Sequence, residues 1–133
     1  MKEHEKVINW AMNALNIKTD VAFAYLPNDI KKSGCYLSAK KVIGISRNIN
    51  GDKLLETIFH ELVHHKQYEI NKVQVFAGQL FWRKSNGNYT TLLVQDIKED
   101  FKTYWNSPHE VQARKISKKM LNNYKIMLDS VLA

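Results

Sequence analysis

A chain of 133 residues with 44% hydrophobic and 25% charged content fits one folded domain, residues 1–133, large enough to bury a core without covalent staples. The single cysteine, Cys35, excludes an internal disulfide, and neither a signal-peptide core nor a stretch of about 20 apolar residues is present, so a reducing, cytoplasmic setting with no membrane contact is the simplest expectation. The net charge of +7 permits attraction to nucleic acid, but the basic residues are scattered over Lys31/Lys32, Lys40/Lys41 and Arg114 to Lys125 without a nucleic-acid motif, so a solvated basic surface is expected.

In chain order, Val7, Ile8, Ala11, Met12, Ala14 and Leu15 share one side of a helix over residues 3–16, predicting an amphipathic helix packed across a sheet. Asp20 to Leu26 alternates as a strand and stops at the turn signal Pro27-Asn28-Asp29. Gly34 to Leu37 and Lys41 to Ser46 predict a hairpin joined at Ser38 to Lys40. Asn50-Gly51-Asp52 marks a break, with Asp52 as the expected N-cap of a helix running to about Ile70. Val73 to Asp96 alternates less cleanly; Ser85-Asn86-Gly87-Asn88 between two apolar runs predicts an exposed hairpin turning at Asn86-Gly87, with a helix or loop as the alternative. Ser107-Pro108-His109-Glu110 supplies an N-cap, a first-turn proline and a Glu at the third helical position, the elements of a capping box. From there an apolar stripe from Val111 through Ala113, Ile116, Met120, Tyr124, Met127 and Leu128 to Val131 predicts a long C-terminal helix.

The chemistry lies in His60-Glu61-Leu62-Val63-His64. On a helix, positions four apart stand one above the other, so two imidazoles can grip one metal ion from the same face. Glu61 lies about 100° round the helix from His60, near enough to act on a water beside the metal. Shuffling 5 His and 7 Glu over 133 positions yields such a run by accident in roughly one chain in a hundred. Accidental matches mostly lack helical context, whereas Leu54, Leu55, Ile58, Leu62 and Val63 here build an apolar stripe beside the His60/His64 line.

Catalytic zinc usually takes three protein ligands and leaves the fourth position to water. Ile70 stands where the short-spaced extended motif would place a third His, and His65 points about 100° away from His64. His4 has no supporting context, and Glu69 reads as a solvated or helix-end group. The choice narrows to His109 or Glu110. Glu110 is favoured because Ala113, one turn on, is small enough to let its helix approach the HExxH helix, and because the positive helix N-terminus stabilises a carboxylate there. His109 remains an alternative, as does a capping role for Glu110 that needs no metal.

The HExxH run followed by Tyr104-Trp105-Asn106-Ser107-Pro108-His109-Glu110-Val111-Gln112-Ala113-Arg114 resembles small bacterial and phage-type zinc metallopeptidases of the gluzincin kind, in which a downstream Pro-x-Glu-x-x-Ala segment supplies a glutamate ligand. The resemblance covers roughly Gly34 to Lys119. It implies an α+β zincin-like fold with an N-terminal helix, a small mostly antiparallel sheet, the HExxH helix and a long C-terminal helix carrying the third ligand. It also implies Zn²⁺ on His60, His64 and Glu110, with Glu61 as catalytic base. Thermolysin-like enzymes carry an Asp where Arg114 stands, so the support of a ligand histidine must come from elsewhere.

The expected reaction is hydrolysis of a peptide bond in a peptide or protein substrate, with Tyr104 as a candidate second donor to the oxyanion. Trp82, Tyr89 and Trp105 are aromatic candidates for a cleft wall, packing being the simpler expectation for each. Two rival classes are a zinc-stabilised binding or regulatory protein without turnover, and a nucleic-acid-associated protease of the SprT-like kind, whose third His has no obvious counterpart here.

Overall fold

The computed structural model describes residues 2–92 and 104–132. After a single 3₁₀ turn over Lys2–His4 come α1 (Glu5–Ala14), β1 (Ala22–Tyr25), β2 (Gly34–Leu37), β3 (Val42–Ile45), α2 (Gly51–Glu69), β4 (Val73–Phe76), β5 (Gln79–Arg83), β6 (Tyr89–Leu92) and α3 (Pro108–Leu132). The fold is α+β, with two small, mostly antiparallel three-stranded sheets rather than one. In the first, β3 is central, parallel to β1 and antiparallel to β2; the second is the meander β4-β5-β6.

The middle of α2 is buried on nearly all sides. From Thr57 to Gln67 only His60 and Lys66 are partly exposed, because α2 contacts α1, α3, β2, β3 and β4. Ile58, Phe59 and Leu62 are fully buried with Ile43 and Ile45 of β3, each such side chain contributing about 1.5–3 kcal/mol of transfer free energy. Val7, Ile8 and Ala11 of α1 enter the same core as Ile43 and Ile45 of β3. Trp10, outside the predicted apolar face, wedges α1 between the other helices, with ring centroids 5.6 Å from Phe59 and 5.0 Å from Tyr124.

The helix ends obey local chemistry more closely than the starts. Asn16 and Asn71, just past α1 and α2, adopt φ of 53° and 58°, the left-handed conformation that asparagine tolerates and that lets the backbone turn back on the last carbonyls. Asp52 does not cap α2. The cap position is Asn50, without a side-chain cap bond, and Asp52 in the first turn instead pairs with Lys125 Nζ. At α3 the predicted capping box is absent: the Ser107 hydroxyl donates to Tyr104 O at 2.6 Å, and the Glu110 carboxylate is engaged elsewhere.

The hairpin at Asn86-Gly87 is present between β5 and β6, with Arg83 opposite Tyr89. A second hairpin, between β4 and β5, turns at Ala77-Gly78, both at positive φ. Asn-Gly or Asp-Gly would have advertised such a turn; Ala-Gly does not. The part of the Val73–Asp96 expectation beyond Leu92 lies outside the described residues. Along α3 the predicted stripe is interrupted, since Val111 and Val131 are exposed. Among the described residues no helix is long and apolar enough to cross a membrane.

Next to the HExxH histidines, His65 faces the opposite way and fastens two other segments to α2. Its Nε2 lies 2.9 Å from Thr19 Oγ1 and its Nδ1 2.8 Å from the Tyr36 hydroxyl. Burial lowers its pKa below the usual 6.5. A depressed histidine binds fewer protons folded than unfolded, so its stabilisation is complete above pH 6.5 and lost as pH falls through the folded pKa. Urea unfolding should therefore show the stability gap between wild type and His65→Gln narrowing below pH 6.5. A gap that is constant or widens there would contradict the burial argument.

Candidate metal centre

Two helices running antiparallel build the site. At one end of their contact Gln67 of α2 meets His109 and Gln112 of α3, and at the other Asp52 meets Lys125. This direction brings the first turn of α3 beside the fourth turn of α2. Ala113, with no exposed surface, allows the close approach, and Ser117 one turn further is equally buried.

His60, His64 and Glu110 converge. His60 Nε2 lies 3.0 Å from Glu110 Oε2, His64 Nε2 3.0 Å from Glu110 Oε1, and the two imidazole nitrogens 3.2 Å from each other. One ligand atom from each lies within 4.8 Å of the others, the arrangement of a metal-binding group. The glutamine three residues after His64 explains its orientation. Gln67 Nε2 donates to His109 O at 3.0 Å and to Gln112 Oε1 at 2.9 Å, which turns Gln67 Oε1 toward His64 Nδ1 at 2.8 Å. That network assigns a hydrogen to Nδ1, so Nε2 carries a lone pair in the neutral ring and an N–H toward Glu110 when the ring is protonated. A lone pair facing both a carboxylate and a second imidazole is repulsive unless a proton or a metal cation lies among them, so the donor set fits a cation.

The electrostatics point the same way. Burial would raise the Glu110 pKa, but hydrogen bonds from His60 and His64, the charge of His64 and the Tyr104 hydroxyl outweigh it and hold the group far below the carboxylate range. Burial would lower His64, yet the hydrogen bond and charge of Glu110 leave it raised. Glu61 is raised, chiefly by burial, with Glu110 adding to the effect and His64 and His60 opposing it.

The sequence candidates separate cleanly in space. His109 stacks near His64, with centroids 5.5 Å apart, but stays outside the metal-binding group; burial lowers its pKa to about 4. Tyr104 reaches the site by donating its hydroxyl to Glu110 Oε1 at 2.6 Å. Glu69 is not a solvated group: it accepts from the backbone N–H of Lys18 and Thr19 at 2.6 and 2.7 Å and pairs with Lys66.

Glu61 opens onto a cleft of about 290 Å³ bounded by Ser33 and Gly34 on one side and by Tyr104, Trp105 and Arg114 on the other. A Cβ on Gly34 would lie 2.7 Å from Thr57 Cγ2 and 3.2 Å from Glu61 Cγ, so only glycine lets β2 come this close to the motif helix. Of the three aromatic wall candidates, Trp105 lines the cleft. Trp82 stacks under Lys72, and the Tyr89 hydroxyl donates to Asn71 O. Gln67 and Gly34 are the residues of the candidate site that the sequence reading did not single out. A polar side chain on the buried line one turn past the second motif histidine was the available signal for Gln67; for Gly34 there was none.

No protein-family model, curated protein or solved structure matches the chain, so the residue geometry carries the functional argument.

Divalent-metal binding, read from the visible absorption of Co²⁺, should be lost in Glu110→Ala and stay close to wild type in His109→Ala. Gln67→Leu should weaken it about 10–100-fold, the usual cost of removing a group that orients a ligand histidine. Normal Co²⁺ spectra in Glu110→Ala would refute the ligand assignment.

Proposed function

We propose that the chain is a zinc-dependent metallopeptidase of the minimal gluzincin kind, with His60, His64 and Glu110 as ligands and Glu61 as general base. One observation carries the reading: two imidazole nitrogens and a carboxylate from a distant helix meet at 3.0–3.2 Å, on a cleft into which the HExxH glutamate also opens. Those separations are near the roughly 3.3 Å expected between tetrahedral ligands about 2.0–2.1 Å from zinc. Two nitrogens with one carboxylate also suit zinc better than the harder Mg²⁺ or Ca²⁺.

Zn²⁺ bound there would supply Lewis acidity, making water a nucleophile near neutral pH and polarising an amide carbonyl. The chain's own residues do the rest. Glu61 accepts a proton from the attacking water as the C–O bond forms, and delivers it to the amide nitrogen as the C–N bond breaks, leaving a carboxylate and an amine. A carboxyl group whose pKa burial has raised matches that two-way task better than an ordinary glutamate. Gln67 fixes the His64 tautomer and Tyr104 holds the Glu110 carboxylate with its single hydroxyl hydrogen; the phenol lines the same cleft, and donating to the developing oxyanion would require it to release Glu110.

Against a fluorogenic peptide library, Glu61→Gln should lose on the order of 10²-fold or more in kcat/KM while metal analysis still finds zinc. Wild-type protein that carries zinc and cleaves no peptide would favour a metal-stabilised binding protein instead.

A further inference from the structure

Most basic residues of α3 face solvent, among them Lys115, Lys118, Lys119 and Lys125; Arg114 turns inward. Its guanidinium lies 3.6 Å from the centroid of the Trp105 ring, and its Nη1 is buried with no hydrogen-bond partner among the described residues. A guanidinium held over an indole has little freedom to turn; with Nη1 inaccessible, Arg114 contributes to the cleft lining through its other atoms. The hydrolytic steps above give Arg114 no task.

Its position does. The cleft holds Arg114 and Lys118 of α3 opposite Lys53, Glu56 and Thr57 of α2, continuing from His60 and Glu61. Arg114 is one helical turn from Glu110, about 6 Å along the axis, and Lys118 about 12 Å. Beyond the catalytic end the lining therefore has, among the described residues, three cations, Lys53, Arg114 and Lys118, against the carboxylate of Glu56. We propose that this end of the cleft binds a carboxylate of the substrate, read by the Arg114 fork about one helical turn from the metal ligands and attracted by Lys53 and Lys118. The proposal deepens the peptidase reading and rests on it. A guanidinium fork matches the two oxygens of one carboxylate, and Glu56 among the cations disfavours a polyanion such as nucleic acid. The carboxylate can be an Asp or Glu side chain or the free end of a peptide.

The test uses zinc-loaded protein and matched peptides that carry Glu or Gln at one varied position, each with a free or an amidated C-terminus. A carboxylate-bearing peptide should be cleaved with a kcat/KM about tenfold or more above its neutral counterpart, as a charge-assisted pair implies. The preference should collapse toward unity in Arg114→Gln and recover partly in Arg114→Lys, which restores charge without the fork. Preference surviving amidation assigns the side-chain source; preference lost on amidation assigns the chain end. If Arg114→Gln fails to fold by circular dichroism, Lys118→Glu on the exposed rim carries the test, and the preference should fall several-fold. Equal cleavage of acidic and neutral peptides, or a preference unchanged in the folded variants, overturns the proposal. Binding of the same labelled peptides to zinc-loaded Glu61→Gln, read by fluorescence anisotropy, separates the two readings. Carboxylate-dependent and Arg114-dependent binding with no wild-type turnover would sink the peptidase and keep the site. Turnover without acid preference would do the reverse.

Discussion

A helix buried on nearly all faces cannot carry polar side chains unless each finds a partner or a cleft, and α2 carries His64, His65 and Gln67 in its buried stretch, with Glu61 opening onto the cleft. Much of the fold supplies those partners. The segment before β1 brings Thr19, and β2 brings Tyr36, to His65. The first turns of α3 bring the His109 carbonyl and Gln112 to Gln67, and Glu110 to the two outward-leaning histidines. Phe59, Leu62 and Ile58 provide the apolar anchorage that keeps the helix in place while its polar groups are held at hydrogen-bonding distance.

The antiparallel pairing of α2 and α3 turns this packing requirement into a chemical gradient. Near the C-terminal half of α2 the helices exchange hydrogen bonds through Gln67, and near its N-terminus they exchange charge through Asp52 and Lys125. Between these ends lie first the histidines and Glu110, then the cleft with Glu61, Arg114 and Lys118. Ala113 and Ser117 make the approach possible because neither projects a bulky side chain into the seam. Gly34 does the same for β2. The site's dimensions thus depend on three small residues as much as on its ligands.

The elements whose signals were local could be read before any coordinates. Asn86-Gly87 announces its hairpin, Pro108 opens α3, and the spacing of His60 and His64 places both on one helical face. Elements that depended on a long-range partner could not. Glu69 resembled a solvated helix-end carboxylate until the N–H groups of Lys18 and Thr19, 51 and 50 residues away, were brought to it. Ser107 and Glu110 had the spacing of a capping box, but histidines 50 and 46 residues distant in sequence hold the carboxylate, and the serine turns back to Tyr104. Ala77-Gly78 turns without the residues that favour such turns, because the pairing of β4 with β5 imposes positive φ on both.

The helical period and the HExxH spacing were sufficient to place two imidazoles and a carboxylate on one helix, since that relation needs only 3.6 residues per turn. They also narrowed the distant partner to the start of the last helix. Glu110 was already favoured over His109 there; the tertiary structure added the antiparallel seam, which brings the Glu110 carboxylate within 3.0 Å of both imidazole nitrogens while His109 packs against His64 outside that group. The same seam decided that Gln67 would orient His64 and that Arg114 would turn inward from a basic helix. Relations of direction between separate elements arise from packing, and no periodicity within one element encodes them.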